Sequence, residues 1–305
     1  MKGMAARLAV LLMVPALAGC GGGRAGPQDD MLDQAMETGR QAVALDRLEL
    51  AEIQYRLAGR RAMARDDAGA IGDAGYDLAV VQLDQGRAAD ALRTLSATRG
   101  AMAVRGWGGP DAALDLVQAT ALHRLKRDDE AAAPAGRAMG SADPATAEHA
   151  ALLSGLIADA RGDRAGLSAA LEHLAREHTA PRRPVTPKWQ ADEDELRARL
   201  LLASDPLRAR DLARAAADRR RQIVDYRGMA RALVLASHAA AQGGDGQGAS
   251  SLAMQAAQST AAQGEKPRNV IAQGAVSVTV EGVPAEDAAI AAHGPDPFAE
   301  PSPGR

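Results

Sequence analysis

The sequence predicts an all-α protein, a right-handed solenoid of helical hairpins. Three observations lead to this fold class. Alanine, the strongest helix former and a weak strand former, supplies 72 of the 305 residues, whereas aromatic residues make up 2%. Apolar residues recur at spacings of three and four in short segments that end at Gly, Asp or Pro. These segments come in pairs along the chain, as in a helical repeat protein. A β-sandwich, β-barrel or β-propeller is therefore excluded.

Composition also limits the functional classes. A single cysteine excludes a disulfide framework and any metal site with several cysteine ligands. The formal net charge of −3 and the scarcity of aromatic rings argue against nucleic-acid binding, which needs a basic surface and stacking platforms. We therefore expect no nucleic-acid partner.

The first 19 residues predict a signal peptide. Met1–Arg7 carries two positive charges and no acid, and Leu8–Ala16 is a short apolar run. Small residues follow, which is the layout of a secretory signal. The apolar run is too short to span a bilayer as a helix.

Leu17-Ala18-Gly19-Cys20 resembles the lipobox of bacterial lipoproteins. The resemblance implies cleavage before Cys20, acyl lipid (palmitate among the chains) on its thiol and new amine, and residues 20–30 as a flexible tether. Gly21, a residue other than Asp after the cysteine, implies an outer-membrane location facing the periplasm. Several acyl chains make a lasting anchor. The alternatives are an ordinary signal with an incidental cysteine, or a buried core cysteine.

Residues 31–263 predict about six helical hairpins. In the clearest, Asp77–Leu83 leads through Gly86 into Ala88–Leu95, with apolar residues on one face of each segment. Gly86 can adopt the left-handed conformation that ends a helix. The other second segments are centred on residues 51–58, 132–139, 167–174, 209–216 and 249–256.

These hairpins resemble the tetratricopeptide repeat, which places small residues where its two helices cross. The matching residues in the first helices are Gly39, Ala79, Thr120, Gly155 and Ser237. The matching pairs in the second helices are Ala51/Ala58, Ala91/Thr98, Ala132/Met139, Leu167/Leu174, Ala209/Ala216 and Ala249/Ala256. The spacing between pairs is 35 to 42 residues, against about 34 in the family. Most of the family's large aromatic positions hold Leu or Ala here, with Tyr55 the best match.

Residues 264–293 differ from the repeats. Val276–Val280 alternates apolar and polar residues and predicts a strand. It either pairs with Val270-Ile271 as a hairpin against the last repeat or adds to the sheet edge of a partner. Residues 294–305 contain four prolines and are predicted to be a disordered tail.

No catalytic or metal-binding motif stands in the chain. There is no Gly-x-Ser-x-Gly, no phosphate-binding loop and no His-Glu-x-x-His, and His173 and His178 are five apart, a poor match to one helix face. We expect no enzyme activity, no small-molecule substrate and no cofactor besides the lipid on Cys20. The enzymatic alternative needs paired carboxylates in a partly dry site, whereas acids such as Asp66 and Asp128 fall at predicted turns.

Charged runs and tryptophans are the remaining features. Asp192–Glu195 is interpreted as the solvated start of a helix from Leu196, favoured by the helix dipole. The runs Arg182-Arg183 and Arg219–Arg221 are interpreted as solvated faces. Trp107 and Trp189, both predicted in loops between repeats, are the candidate partner contacts together with Tyr55.

These observations predict a non-enzymatic scaffold or adaptor that binds an envelope protein or peptide segment in a concave groove. The resemblance to tetratricopeptide lipoproteins implies a role in envelope assembly. One alternative is an accessory lipoprotein of a tight-adherence type pilus-assembly apparatus or of a secretion apparatus. Another is a structural spacer without a specific ligand.

Overall fold

The computed structural model describes residues 29–109, 111–179, 184–261 and 296–299. Within these residues the chain forms twelve α-helices and no β-strand. They are α1 (Asp30–Ala44), α2 (Leu48–Ala64), α3 (Ala68–Asp84), α4 (Ala88–Val104), α5 (Ala112–Arg124), α6 (Asp128–Met139), α7 (Pro144–Ala160), α8 (Arg164–Thr179), α9 (Pro187–Leu201), α10 (Pro206–Gln222), α11 (Tyr226–Gln242) and α12 (Gly246–Ala261).

The helices pack in chain order as six hairpins, α1 with α2 through to α11 with α12. Odd-numbered helices also contact one another across hairpins: α3 with α5, α5 with α7, α7 with α9 and α9 with α11. They therefore form one layer, the inner one, and the even-numbered helices form the outer layer. The prediction of an all-α helical-hairpin solenoid is confirmed.

Most helices end in the same short turn. One residue adopts a left-handed conformation, and the next N–H returns to the last helical turn, as Arg87 N does to Gln82 O at 2.8 Å. This geometry reverses the chain in few residues, which keeps consecutive helices in contact. The first five turns place this residue at twenty-residue intervals: Asp46, Asp66, Gly86, Gly106 and Lys126.

Small residues allow the helices to approach closely. A Cβ atom on Gly39 of α1 would lie 2.5 Å from Cε1 of Tyr55 on α2, and one on Gly155 of α7 would lie 2.6 Å from the Leu196 side chain on α9. Ala51 and Ala58 on α2 are fully buried. The Gly39 contact lies within the first hairpin, as predicted, whereas the Gly155 contact joins α7 to α9 of the next hairpin.

The third hairpin is shifted by one residue from the prediction. Ala131 and Ala138 of α6 are fully buried, in place of the predicted pair Ala132/Met139. Ala119 of α5 is likewise buried where Thr120 was expected. Runs of consecutive alanines such as 131–133 offer several equivalent faces, so volume alone does not set their register.

The prediction of a solvated acidic helix start is wrong. Helix α9 begins at Pro187, and the hydroxyl of Thr186 caps it by accepting from Trp189 N at 3.1 Å. Asp192 and Glu195 therefore lie inside the helix and are buried. The prediction that Arg219–Arg221 is solvated is also wrong at Arg220, which is buried against these acids.

Several predictions fall outside the described residues: the signal peptide 1–19, Cys20, Arg182-Arg183 and the strand Val276–Val280. Within 294–305, residues 296–299 are described and form a turn packed on the solenoid, so disorder is corrected for these four. The described helices include none with both the length and the hydropathy of a membrane span.

Candidate functional site

The most distinctive site is where the C-terminal residues 296–299 lie on the first hairpin. Phe298, the only phenylalanine of the chain, has a fully buried side chain. It joins the apolar cluster that the first three hairpins share, which includes Ala58, Ile71 and Leu95. The segment contacts α2, a helix of the outer layer, rather than the inner layer where the predicted groove lies.

Gly59 of α2 makes this contact possible. A Cβ atom at this position would overlap Cγ, Cδ1 and Cε1 of the Phe298 ring. Any side chain at position 59 would therefore displace the ring. A glycine inside a helix lowers stability by about 1 kcal/mol relative to alanine, so α2 carries a local weakness exactly where the ring packs.

Main-chain groups of the segment complete the contact. Arg56 Nη1 donates to the carbonyl oxygen of Ala299 at 2.6 Å, and Arg60 Nη1 donates to that of Phe298 at 3.5 Å. Phe298 N in turn donates to Asp296 Oδ1 at 2.9 Å, which forms the turn. The site therefore binds an aromatic side chain and two main-chain carbonyl groups.

Glu52 holds Arg56 in position. Its Oε1 accepts from Arg56 Nη2 at 2.9 Å, and its Oε2 accepts from Arg87, the residue just before α4. Burial disfavours the charge of Glu52, but the hydrogen bonds and charges of Arg56 and Arg87 outweigh burial and keep the pKa of this carboxyl below its usual value. The guanidinium that binds the segment is therefore oriented before the segment arrives.

The other end of the described chain also meets α2. Asp29 caps α1 by accepting from the main-chain N–H groups of Met31 and Leu32. Its Oδ2 pairs with Arg61 at 2.8 Å and Arg65 at 3.3 Å, both in or next to the last turn of α2. Residues 29 and 298 are thus both fixed to the first hairpin.

The predicted contact residues lie in different hairpins. Tyr55 is buried against Gly39, and burial, reinforced by the charge of Asp77, raises its pKa to about 12. Trp107 lies in the loop after α4 with 56% of its surface exposed. It lines a cleft of about 300 Å³ between α3 and α5.

Trp189 lies in α9, and the prediction that it occupies a loop is wrong. Its Nε1 donates to the carbonyl oxygen of Leu174 at 3.2 Å, and its ring packs on the cluster of the fourth hairpin. Sequence reasoning missed Phe298, Gly59, Arg56 and Arg60. The one available signal was the isolated phenylalanine in a proline-rich segment.

A buried ionic cluster joins α9, α10 and α11. Glu195 accepts from Arg199 at 3.0 Å, from Arg220 at 2.7 Å and from Arg231 at 2.7 and 3.0 Å, and Arg220 also donates to Asp192 at 2.8 Å. Burial disfavours the charge of Glu195, but Arg231, Arg199 and Arg220 outweigh burial and keep its pKa well below the usual value. Both Glu195 oxygens are taken, so this cluster serves to hold three helices together.

In the described ranges no group of three or more His, Cys, Asp or Glu side chains is arranged to hold a metal ion. Comparison with protein-family models, with characterised proteins and with solved structures finds no match to this chain.

Proposed function

We propose that this protein is a non-enzymatic adaptor, anchored by lipid at Cys20 to the periplasmic side of the bacterial outer membrane, that binds a segment of another envelope protein. One observation carries the proposal: the solenoid already holds a four-residue peptide. Burial of an aromatic ring and hydrogen bonds to main-chain carbonyls are the contacts by which repeat proteins hold partner segments.

The first hairpin offers further contact area. Leu45, Leu50 and Ile53 have 66%, 37% and 59% of their surface exposed. Large apolar side chains grouped on one hairpin favour a contact surface over a plain solvated spacer.

The lipobox-like residues support the membrane location. Eight residues lie between Cys20 and Asp29, and a chain of that length reaches at most about 30 Å when fully extended. The first hairpin would therefore work close to the membrane. Confinement to this layer raises the effective concentration of a partner in the same membrane.

Cross-linking in the native envelope tests the proposal. The protein is cross-linked in cells, purified and analysed for associated proteins, with Cys20→Ala as the control. Incorporation of labelled palmitate into the wild type and not into Cys20→Ala establishes the anchor independently. We expect one stoichiometric envelope partner that is lost with Cys20→Ala. A pilus or secretion component would narrow the function to that apparatus. Recovery of abundant membrane proteins alone, unchanged in the control, would favour the spacer and contradict the proposal.

A further inference from the structure

The contact between residues 296–299 and α2 is small and remote in sequence. It consists of the buried side chains of Pro297 and Phe298 and two hydrogen bonds from arginines. Thirty-four residues, 262–295, separate it from the last described helix. A short contact closed through a long chain segment is the arrangement expected of a reversible intramolecular ligand, because loop closure offsets much of its binding energy.

The contact is also easily imitated. The two carbonyl groups that Arg56 and Arg60 bind are main-chain groups, which any peptide offers. The parts of the contact that depend on a side chain are the phenylalanine ring over Gly59 and the buried Pro297 beside it. The site side carries two arginines, and the segment carries Asp296 in the turn and Glu300 next in sequence. A ligand of this site therefore has a phenylalanine in a short turn of the main chain, with acidic neighbours.

We propose that the surface of α2 around Gly59 is a binding site for a phenylalanine-containing acidic peptide segment of a partner protein, and that residues 296–299 occupy it as an internal competitor. This proposal rests on the proposed adaptor function and names the chemistry of its partner. Residues 296–299 thereby set the affinity that a partner segment needs: it binds only when it displaces Phe298 from the site.

The effect of this competition on the apparent affinity for a free peptide can be estimated. A ligand that is joined to its site through the same chain acts at an effective concentration on the order of 1 mM. Against a dissociation constant on the order of 0.1 mM for a free short peptide, the internal segment weakens apparent affinity roughly tenfold. Removing the Phe298 side chain should therefore raise the apparent affinity for a free peptide by the same factor.

Fluorescence anisotropy tests the proposal with a labelled peptide of residues 293–301 and the full chain in detergent micelles. We expect Phe298→Ala to bind the peptide about tenfold more tightly than wild type. The double variant Gly59→Ala/Phe298→Ala should lose binding, because the added methyl group fills the place of the ring. The matched control Gly100→Ala/Phe298→Ala should bind like Phe298→Ala, since a Cβ at Gly100 of α4 meets nothing within 4 Å.

Three results would overturn the proposal. The peptide fails to bind Phe298→Ala, it binds wild type and Phe298→Ala equally, or Gly59→Ala leaves binding intact. Concentration-dependent dimers of wild type that Gly59→Ala abolishes would assign the site to a second copy of this chain instead. A peptide in which Phe is replaced by Ala serves as the ligand control. Each result concerns the α2 surface alone, so failure here leaves the envelope cross-linking result to decide the adaptor function separately.

Discussion

The two ends of the solenoid are held together by different chemistry. The first two hairpins pack large apolar side chains, with Tyr55, Ile71, Leu78 and Phe298 all buried. The apolar cluster of the fifth and sixth hairpins is mostly alanine, and the charges of Glu195 and its arginines are buried beside it. The same hairpin backbone is therefore compatible with packing of large apolar side chains and with a buried ionic network among alanines.

The difference has a physical consequence for what each end can accept. Apolar packing is non-directional, so the first hairpin can accommodate one more ring from outside its helices. Alanine buries little area, and a buried ion pair requires every partner in place. A network of charged partners therefore holds α9, α10 and α11 together, whereas the first hairpin also packs the side chain of Phe298 from outside its helices.

The largest effect is expected at Glu195. Glu195→Gln removes the carboxylate that pairs with Arg231 and one of the carboxylates that pair with buried Arg220, and we expect a loss of about 3–5 kcal/mol in the free energy of unfolding. Glu130→Gln is the control, because its pair with Arg127 is exposed and contributes little to stability. Urea denaturation measures both. A loss at Glu195 no larger than at Glu130 would show that the ionic network does not hold this end.

A smaller effect tests the corrected register of the third hairpin. Ala131→Leu places a large side chain in a fully buried site and should lower stability by about 1–3 kcal/mol through overpacking. Ala132→Leu, one residue along, should be tolerated because Ala132 is only partly buried. Thermal or urea unfolding of the two variants compares them directly. Equal losses would contradict the observed register.

The two ends should also respond oppositely to pH. Burial raises the pKa of Asp77 to about 6, more than Arg40 lowers it. Because this folded-state pKa exceeds the unfolded value of 3.8, Asp77 lowers stability as pH rises from about 3.8 to 6. Glu195, with a lowered pKa, contributes stability above pH 4.5 that is lost as pH falls below it.

Asp77→Asn should therefore stabilise the protein at pH 7 by about 1 kcal/mol, after allowance for solvent screening of a partly exposed group. At pH 3.5 the gain should be much smaller, because Asp77 is then protonated in the folded state and mostly protonated in the unfolded state. Denaturation curves at the two pH values provide the measurement. A gain that is the same at both would refute titration of Asp77 as the cause.

The smallest effect concerns the turns. Val224, a β-branched residue, has φ 62°, a conformation that Gly244 adopts in the next turn with φ 84°. Val224→Gly should raise stability by about 1 kcal/mol, and Gly244→Val should lower it by a similar amount. Melting temperatures of the pair report the sign. Destabilisation by Val224→Gly would mean that packing of the Val224 side chain outweighs backbone strain.

Much of the fold was predictable because it is local. Helical periodicity and turn residues indicate the hairpins. Small residues such as Gly39 and Gly155 indicate where one helix lies close against another. The start of α9 could also have been predicted from Thr186 followed by Pro187, a capping residue before a first-turn proline. The acidic run instead led to a predicted start at Leu196, several residues too late. Periodicity could not separate Ala131 from Ala132, since both have the same side chain.

The Phe298 site could not be predicted from the sequence. Phe298 and Gly59 are separated by 239 positions, and neither lies in a pattern that refers to the other. Hydrogen bonding by Arg56 to a main-chain carbonyl likewise leaves no trace in the segment's sequence. Long-range contact of a few residues is the part of a structure that composition and spacing do not encode.

Docking of the last residues on the second helix also imposes an order in time. Helix α2 ends at Ala64, so a ribosome makes more than 230 further residues before it reaches Phe298. If the chain is exported N-terminus first, as proposed, the Gly59 surface of α2 also reaches the periplasm before Phe298 does. Under the proposed competition, a partner present at that stage would meet an unoccupied surface, whereas one that arrives later would have to displace residues 296–299.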